Sequence, residues 1–134
     1  MRYNALISSL TDHLQQAVLV IDQKGQVVYC NDSAAQFWQK DAVRLLGKQS
    51  TDLFHADFVI QEKISSVLDT GKIFRIGAYV LQTPPLQERG AEIVIAPVRS
   101  KSGRVKLAVI TMLGSTPPFK NFRPENKKNN WRVL

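Results

Sequence analysis

Apolar residues fall in blocks whose spacing changes along the chain, and each change marks an element. Over residues 2–16, Tyr3, Leu6, Ile7, Leu10 and Leu14 recur at three- and four-residue steps, with Ser8, Ser9, Asp12, Gln15 and Gln16 between them. That is the pattern of an amphipathic helix. Next comes the β-branched run Ala17-Val18-Leu19-Val20-Ile21, ended by Asp22-Gln23-Lys24-Gly25, and then Val27-Val28-Tyr29-Cys30. Two such runs joined by a short turn containing glycine predict a hairpin. Asn31 and Asp32 follow, and either side chain can accept the free N–H groups of a helix starting at Ser33.

The middle of the chain reads as short helices over residues 33–40, 41–46 and 51–55, with Gly47 suited to close the second. A longer helix is expected over residues 56–69, with Phe58, Ile60 or Ile64, Val67 and Leu68 as its buried side and Thr70-Gly71-Lys72 as its stop. Residues 73–81, 91–99 and 105–113 are rich in branched and aromatic side chains and read as three more strands. The order strand, strand, helices, strand, strand, strand predicts an α+β fold: a five-stranded antiparallel sheet with short helices on one face. Apolar residues are nearly consecutive in residues 17–21 and 107–113, whereas a sheet with one wet face would alternate. Both faces of the central strands should therefore be covered. The N-terminal helix, a second copy of the chain, or both must cover the face the middle helices leave free.

Composition narrows the picture further. A chain of 134 residues, 44% hydrophobic, supports one core, so the expected organisation is a helix over 1–16, a domain over 17–113 and a tail over 114–134. The net charge is +7, and from Gly114 onward five cations (Lys120, Arg123, Lys127, Lys128 and Arg132) face Glu125 alone. In the domain the basic and acidic residues alternate along the sequence without a stripe. No recognition helix or stacking platform is visible, so nucleic-acid binding by the domain is not expected. The tail carries three prolines and no apolar period, and is expected to be disordered. Its Phe119, Phe122 and Trp131 among basic residues keep open a role in binding RNA or an acidic protein. No apolar run approaches the roughly 20 residues that cross a bilayer, and Met1-Arg2-Tyr3-Asn4 does not open a signal peptide, so no membrane attachment and a cytoplasmic location are expected. With Cys30 the single cysteine, neither an internal disulfide nor a thiolate metal site can form.

The stretch from Ala17 to Asp22, continuing through Gly25 and Val28-Tyr29-Cys30-Asn31-Asp32-Ser33-Ala34-Ala35 to Leu46-Gly47-Lys48, resembles the opening of a PAS domain. In that family a hairpin ends at an asparagine, a helix of small residues follows, and a hydrophobic-Gly-Lys element comes about a dozen residues on. With Leu10-Thr11-Asp12-His13-Leu14 and the order of the later strands, the chain is most similar within that family to the N-terminal sensor domain of NtrB-type nitrogen-regulation histidine kinases. Asp32 stands where the family often has proline, a change a helix start tolerates. The resemblance implies a regulatory sensor and dimerisation module in two-component signalling. Its expected partners are a second copy of itself, with Leu6, Leu10 and Leu14 at the interface, and kinase or regulatory proteins of nitrogen control.

No catalytic role is expected. Neither His13 nor His55 has the adjacent acidic residue and downstream Asn-Pro of a phosphoacceptor motif, and the chain contains no glycine-rich ATP-binding segment. The two histidines are isolated, so no metal is expected. Haem-binding PAS domains typically take their ligand from a histidine on the long helix; residues 58–69 contain none, which leaves only His55 just before it open for that role, and Cys30 is not placed like the reactive cysteine of a flavin photosensor. No cofactor is therefore expected, and Cys30 reads as a small buried hydrophobe. Phe37, Trp38, Phe54 and Phe58 are the residues placed to line a ligand cavity between helices and sheet, or simply to fill it. A stand-alone PAS sensor of small molecules is the alternative reading, and a basic-tailed RNA or acidic-protein binder the third.

Overall fold

The computed structural model of the chain describes residues 16–84 and 90–114. The amphipathic pattern of residues 2–16, with Leu6, Leu10 and Leu14, and the tail beyond Gly114 lie outside the described residues. Strands β1 (Ala17–Asp22) and β2 (Val27–Cys30) form the expected hairpin, with Leu19 opposite Cys30 and Val20 opposite Tyr29. Its turn is held by Asp22, whose Oδ1 accepts from the backbone N–H groups of Lys24 and Gln26, both at 2.9 Å. Gly25 takes φ +82 there, a conformation other residues rarely adopt.

Four helices follow: α1 (Asp32–Trp38), α2 (Ala42–Leu45), α3 (Ser50–Leu53) and α4 (Phe58–Thr70). Strands β3 (Phe74–Val80), β4 (Gly90–Arg99) and β5 (Val105–Gly114) complete the α+β fold. The sheet order is β2-β1-β5-β4-β3, every neighbour antiparallel. First and last strands thus meet near the centre, Ala17 opposite Met112 and Asp22 opposite Leu107. The helix layer is tied to the hairpin through backbone: Val27 N–H donates to the Lys48 carbonyl at 2.9 Å, and Gly47 N–H to the Val27 carbonyl at 2.8 Å.

The helices lie on one face of the sheet. Leu19, Ile21, Ile93, Ile95, Ile110 and Met112 point from the strands into one core with Leu45, Phe54, Ile60, Ile64 and Val67, all nearly inaccessible. Burial of side chains of this size contributes about 1.5–3 kcal/mol each, so this layer dominates the stability. The opposite face carries a second apolar cluster of Val18, Val20, Tyr29 and Leu107, flanked by Val28 and Val109. Strand β1 is accordingly buried on both faces from Ala17 to Ile21, as its unbroken apolar run requires. Among the described residues only strand residues meet in that outer cluster. Towards β4 the outer face opens, with Val98 39% and Leu113 45% exposed.

One side chain joins the three parts of this architecture. Asn31, 3% exposed, accepts on Oδ1 from Val18 N–H and from Ala34 N–H, each at 3.0 Å, while its Nδ2 donates to the Gln16 carbonyl at 2.8 Å. It is the cap of α1, so the helix begins at Asp32, one residue before the sequence suggests. Replacing Asn31 by Ala removes the cap and leaves a buried strand N–H without a partner, a loss expected to cost about 3 kcal/mol. Asn31→Asp keeps both acceptor bonds but sets an oxygen against the Gln16 carbonyl, and is expected to be less damaging at pH 5 than at pH 8. Urea denaturation of both variants at the two pH values checks the order.

Candidate functional site

The space between helices and sheet is where a ligand would sit, and four aromatic residues are the sequence-based candidates for its lining. Trp38 ends α1 and Phe54 follows α3; they are 2% and 0% exposed. Their rings meet edge to face, with centroids 5.3 Å apart and planes at 89°, and the indole N–H donates to the Leu53 carbonyl at 3.4 Å. Both belong to the continuous core cluster, so they fill the interior with their polar group satisfied. Phe37 is half-buried and packs on the edge of that cluster. Its ring lies within 2.8 Å of where a Cβ on Gly114 would be, so it closes over the end of β5.

Phe58 requires a correction. At 75% exposure it stands outside the core, on the first turn of α4. The buried side of α4 is Ile60, Ile64 and Val67. Phe58 follows the capping residue directly, two positions before Ile60, and residues two apart on a helix do not share a face. A depression of about 570 Å³ does exist over α1 and α2, but Asp32, Gln36, Lys40 and Arg44 are among its lining residues and the four aromatics are not.

Sequence reading passed over a polar cluster at the other end of the helix layer. Asp57, 1% exposed, caps α4 by accepting from Ile60 N–H at 3.0 Å. The same oxygen accepts from the Tyr79 hydroxyl at 3.0 Å, and the other from Gln82 N–H at 2.9 Å. A β-bulge between Ile76 and Tyr79 makes this meeting possible, with Ala78 at φ +52. The bulge re-aims the strand so that Tyr79 faces the helix layer. The aspartate before an apolar helical pattern was a readable cap signal; its partners, more than twenty residues on, were not.

Two groups have raised pKa values. Burial, and behind it the charge of Asp32, pushes the Cys30 thiol up from 9.0 to about 11. The thiol donates to the Ala42 carbonyl at 3.6 Å, and its raised pKa disfavours the reactive thiolate at neutral pH. The Tyr79 hydroxyl is raised above its ordinary 10.0 by burial first, then by the negative charge of Asp57 and its hydrogen bond to that carboxylate. Among the described residues, no group of three or more His, Cys, Asp or Glu side chains is placed to hold a metal ion. No described helix is long and apolar enough to cross a membrane.

A group held protonated in the fold but ionising at its ordinary value when unfolded supports stability fully below that value and progressively less above it. Stability is therefore expected to fall as pH rises past 9.0 for Cys30 and past 10.0 for Tyr79. Tyr79→Phe is expected to cost about 1–2 kcal/mol at pH 7, the worth of a hydrogen bond to a charged acceptor, and to flatten the decline above pH 10. Denaturation curves of wild type and variant between pH 7 and pH 11 check both.

This arrangement of hairpin, capped helices and three returning strands has counterparts. A family model described as "PAS domain" matches residues 15–113. No curated protein matches the chain. Among solved structures, the PAS domain of nitrogen regulation protein NR(II) from Vibrio parahaemolyticus superposes with a TM-score of 0.60 at 18% identity, covering 81% of this chain and 97% of that one. A sensory box sensor histidine kinase from Vibrio cholerae gives 0.65 at 18% identity, over 86% and 94% of the two chains. VqmA in a ligand and DNA complex, also from Vibrio cholerae, gives 0.68 at 15% identity, over 84% of this chain and 51% of that one. These likenesses carry the fold, and the family model spans nearly all of the described residues: the chain belongs to the PAS domain family.

Proposed function

We propose that the chain is a regulatory PAS module that works by association, passing a change of shape to a partner in nitrogen-responsive two-component signalling, with no catalysis of its own. The observation that carries this reading is the second apolar face. The interior is filled by Trp38, Phe54 and the aliphatic core, whereas on the other side of the sheet Val18, Val20, Tyr29 and Leu107 form a second apolar cluster, itself buried, beside which Val98 and Leu113 stay exposed. The apolar stripe of Leu6, Leu10 and Leu14 immediately precedes β1 in sequence and suits that face. A second protomer would bury the remainder, since closed two-fold dimers are the commonest oligomers. The nitrogen-regulation setting is supported by the sequence resemblance and by the fold shared with the NR(II) PAS domain.

Sedimentation of wild type and Leu10→Asp tests the reading. The wild type is expected to dimerise at micromolar concentration, and a carboxylate in the apolar seam to cost a few kcal/mol and release monomers. A wild type that stays monomeric at high concentration defeats association as the mode of action. Native mass spectrometry of the same material is expected to show the bare chain; a retained small molecule would favour a ligand sensor instead.

A further inference from the structure

Three segments far apart in sequence meet at one end of the sheet: the turn after β1, the end of α4, and the turn between β4 and β5. Gln23 Nε2 donates to the Leu68 carbonyl at 3.2 Å and to the Val105 carbonyl at 2.8 Å. The Arg99 guanidinium donates through Nη1 to the Gly103 carbonyl at 2.7 Å and through Nη2 to the Gly71 carbonyl at 3.3 Å. Gly71, at φ +73, leaves it room: a Cβ there would lie 2.0 Å from Nη2.

These tethers gather charge that looks scattered along the sequence. Lys24, Lys72, Arg99, Lys101, Arg104 and Lys106 lie on the three segments, all exposed, against Asp22 and Asp69. The described residues contain 11 Lys and Arg and 8 Asp and Glu, a net +3; this end alone carries +4 and everything else −1. The ion pair found among the described residues, Lys63 with Glu62, involves none of the six. Asp22 is turned to its own loop, accepting from Lys24 and Gln26 backbone. The apparent lack of a basic stripe was thus a property of the linear sequence that the topology reverses.

Two exposed aliphatics adjoin the cations in sequence, Ile73 at 53% and Val98 at 39%. The described chain enters β1 at Ala17 beside Met112 and leaves β5 at Gly114 beside Ala91, at the opposite end of the sheet. The basic end therefore lies opposite the end at which the described chain enters β1 and leaves β5. No aromatic residue lies in residues 22–26, 68–72 or 98–106, and no described helix protrudes there to enter a duplex groove, which disfavours nucleic acid. We propose that this end docks an acidic segment of a partner protein, with carboxylates on the lysines and Arg104 and apolar side chains on Ile73 and Val98.

Fluorescence polarisation with the full chain tests it, using a short labelled peptide of glutamates interspersed with leucines, the same peptide with serines for leucines, and labelled duplex DNA and single-stranded RNA. The leucine peptide is expected to bind most tightly, to weaken with salt, and to lose roughly tenfold in affinity in Lys101→Glu/Arg104→Glu. Both positions are exposed, so an unchanged melting temperature in that variant shows the loss is not unfolding. Ile73→Ser is expected to remove the preference for the leucine peptide, and Lys127→Gln/Lys128→Gln in the tail to leave binding intact. Unchanged binding in the turn variant, an equal loss in the tail variant, or DNA or RNA held more tightly than peptide and released by the turn variant would each overturn the proposal.

Discussion

The amide of Asn31 is the point on which the rest of the molecule depends. A strand, the turn of chain after it and a helix must each satisfy polar groups that burial removes from water, and one side chain serves all three. Its oxygen takes the Val18 N–H in the sheet and the Ala34 N–H of α1, and its nitrogen supplies the Gln16 carbonyl. Because the amide offers both an acceptor and a donor, an ionised carboxylate cannot meet the same set. The direction of α1 is thereby set relative to β1, and with it the position of Trp38 over the sheet. Asp57 plays a parallel but simpler part for α4, receiving three donors from helix, strand and loop.

The two faces of the sheet have different physical roles. The inner face meets helices whose long side chains interlock, and Trp38 with Phe54 is its largest pair. The outer face is built of small branched side chains and Tyr29, with exposure rising from β1 towards Val98 and Leu113. A surface graded in this way suits a covering that is complete over the central strands and shallow at the edge. The outer cluster explains why the aliphatic content of β1 exceeds what one core would demand.

Local signals made most of the fold legible. The β-branched runs located β1, β2, β4 and β5 to within a residue, because strand pairing there is continuous and the register unbroken over most of its length. The cap at Asn31 was readable because capping acts over three residues. The bulge in β3 had one local sign, Gly77 inside the strand pattern, but its consequence was hidden, since only the distant Asp57 gives Tyr79 a reason to turn inward. Phe58 was assigned to the interior because it is large and aromatic, yet its angular position on α4 places it in water. The gathering of Lys24, Lys72 and Lys101 was equally hidden: charge density is set by which turns share an end of the sheet, and no window along the sequence contains all three.

The antiparallel pairing of β1 with β5, with Ala17 opposite Met112, has a mechanical consequence. The chain enters and leaves the domain through adjacent central strands at the same end, so tension between the two flanking segments pulls the ladder apart one bond at a time instead of shearing all of it together. Such a ladder yields at low force from its loaded end. Asn31 sits at that end, clasping the carbonyl of Gln16 and the N–H of Val18. The clasp that organises the fold is therefore also the first bond to feel any pull arriving along the chain.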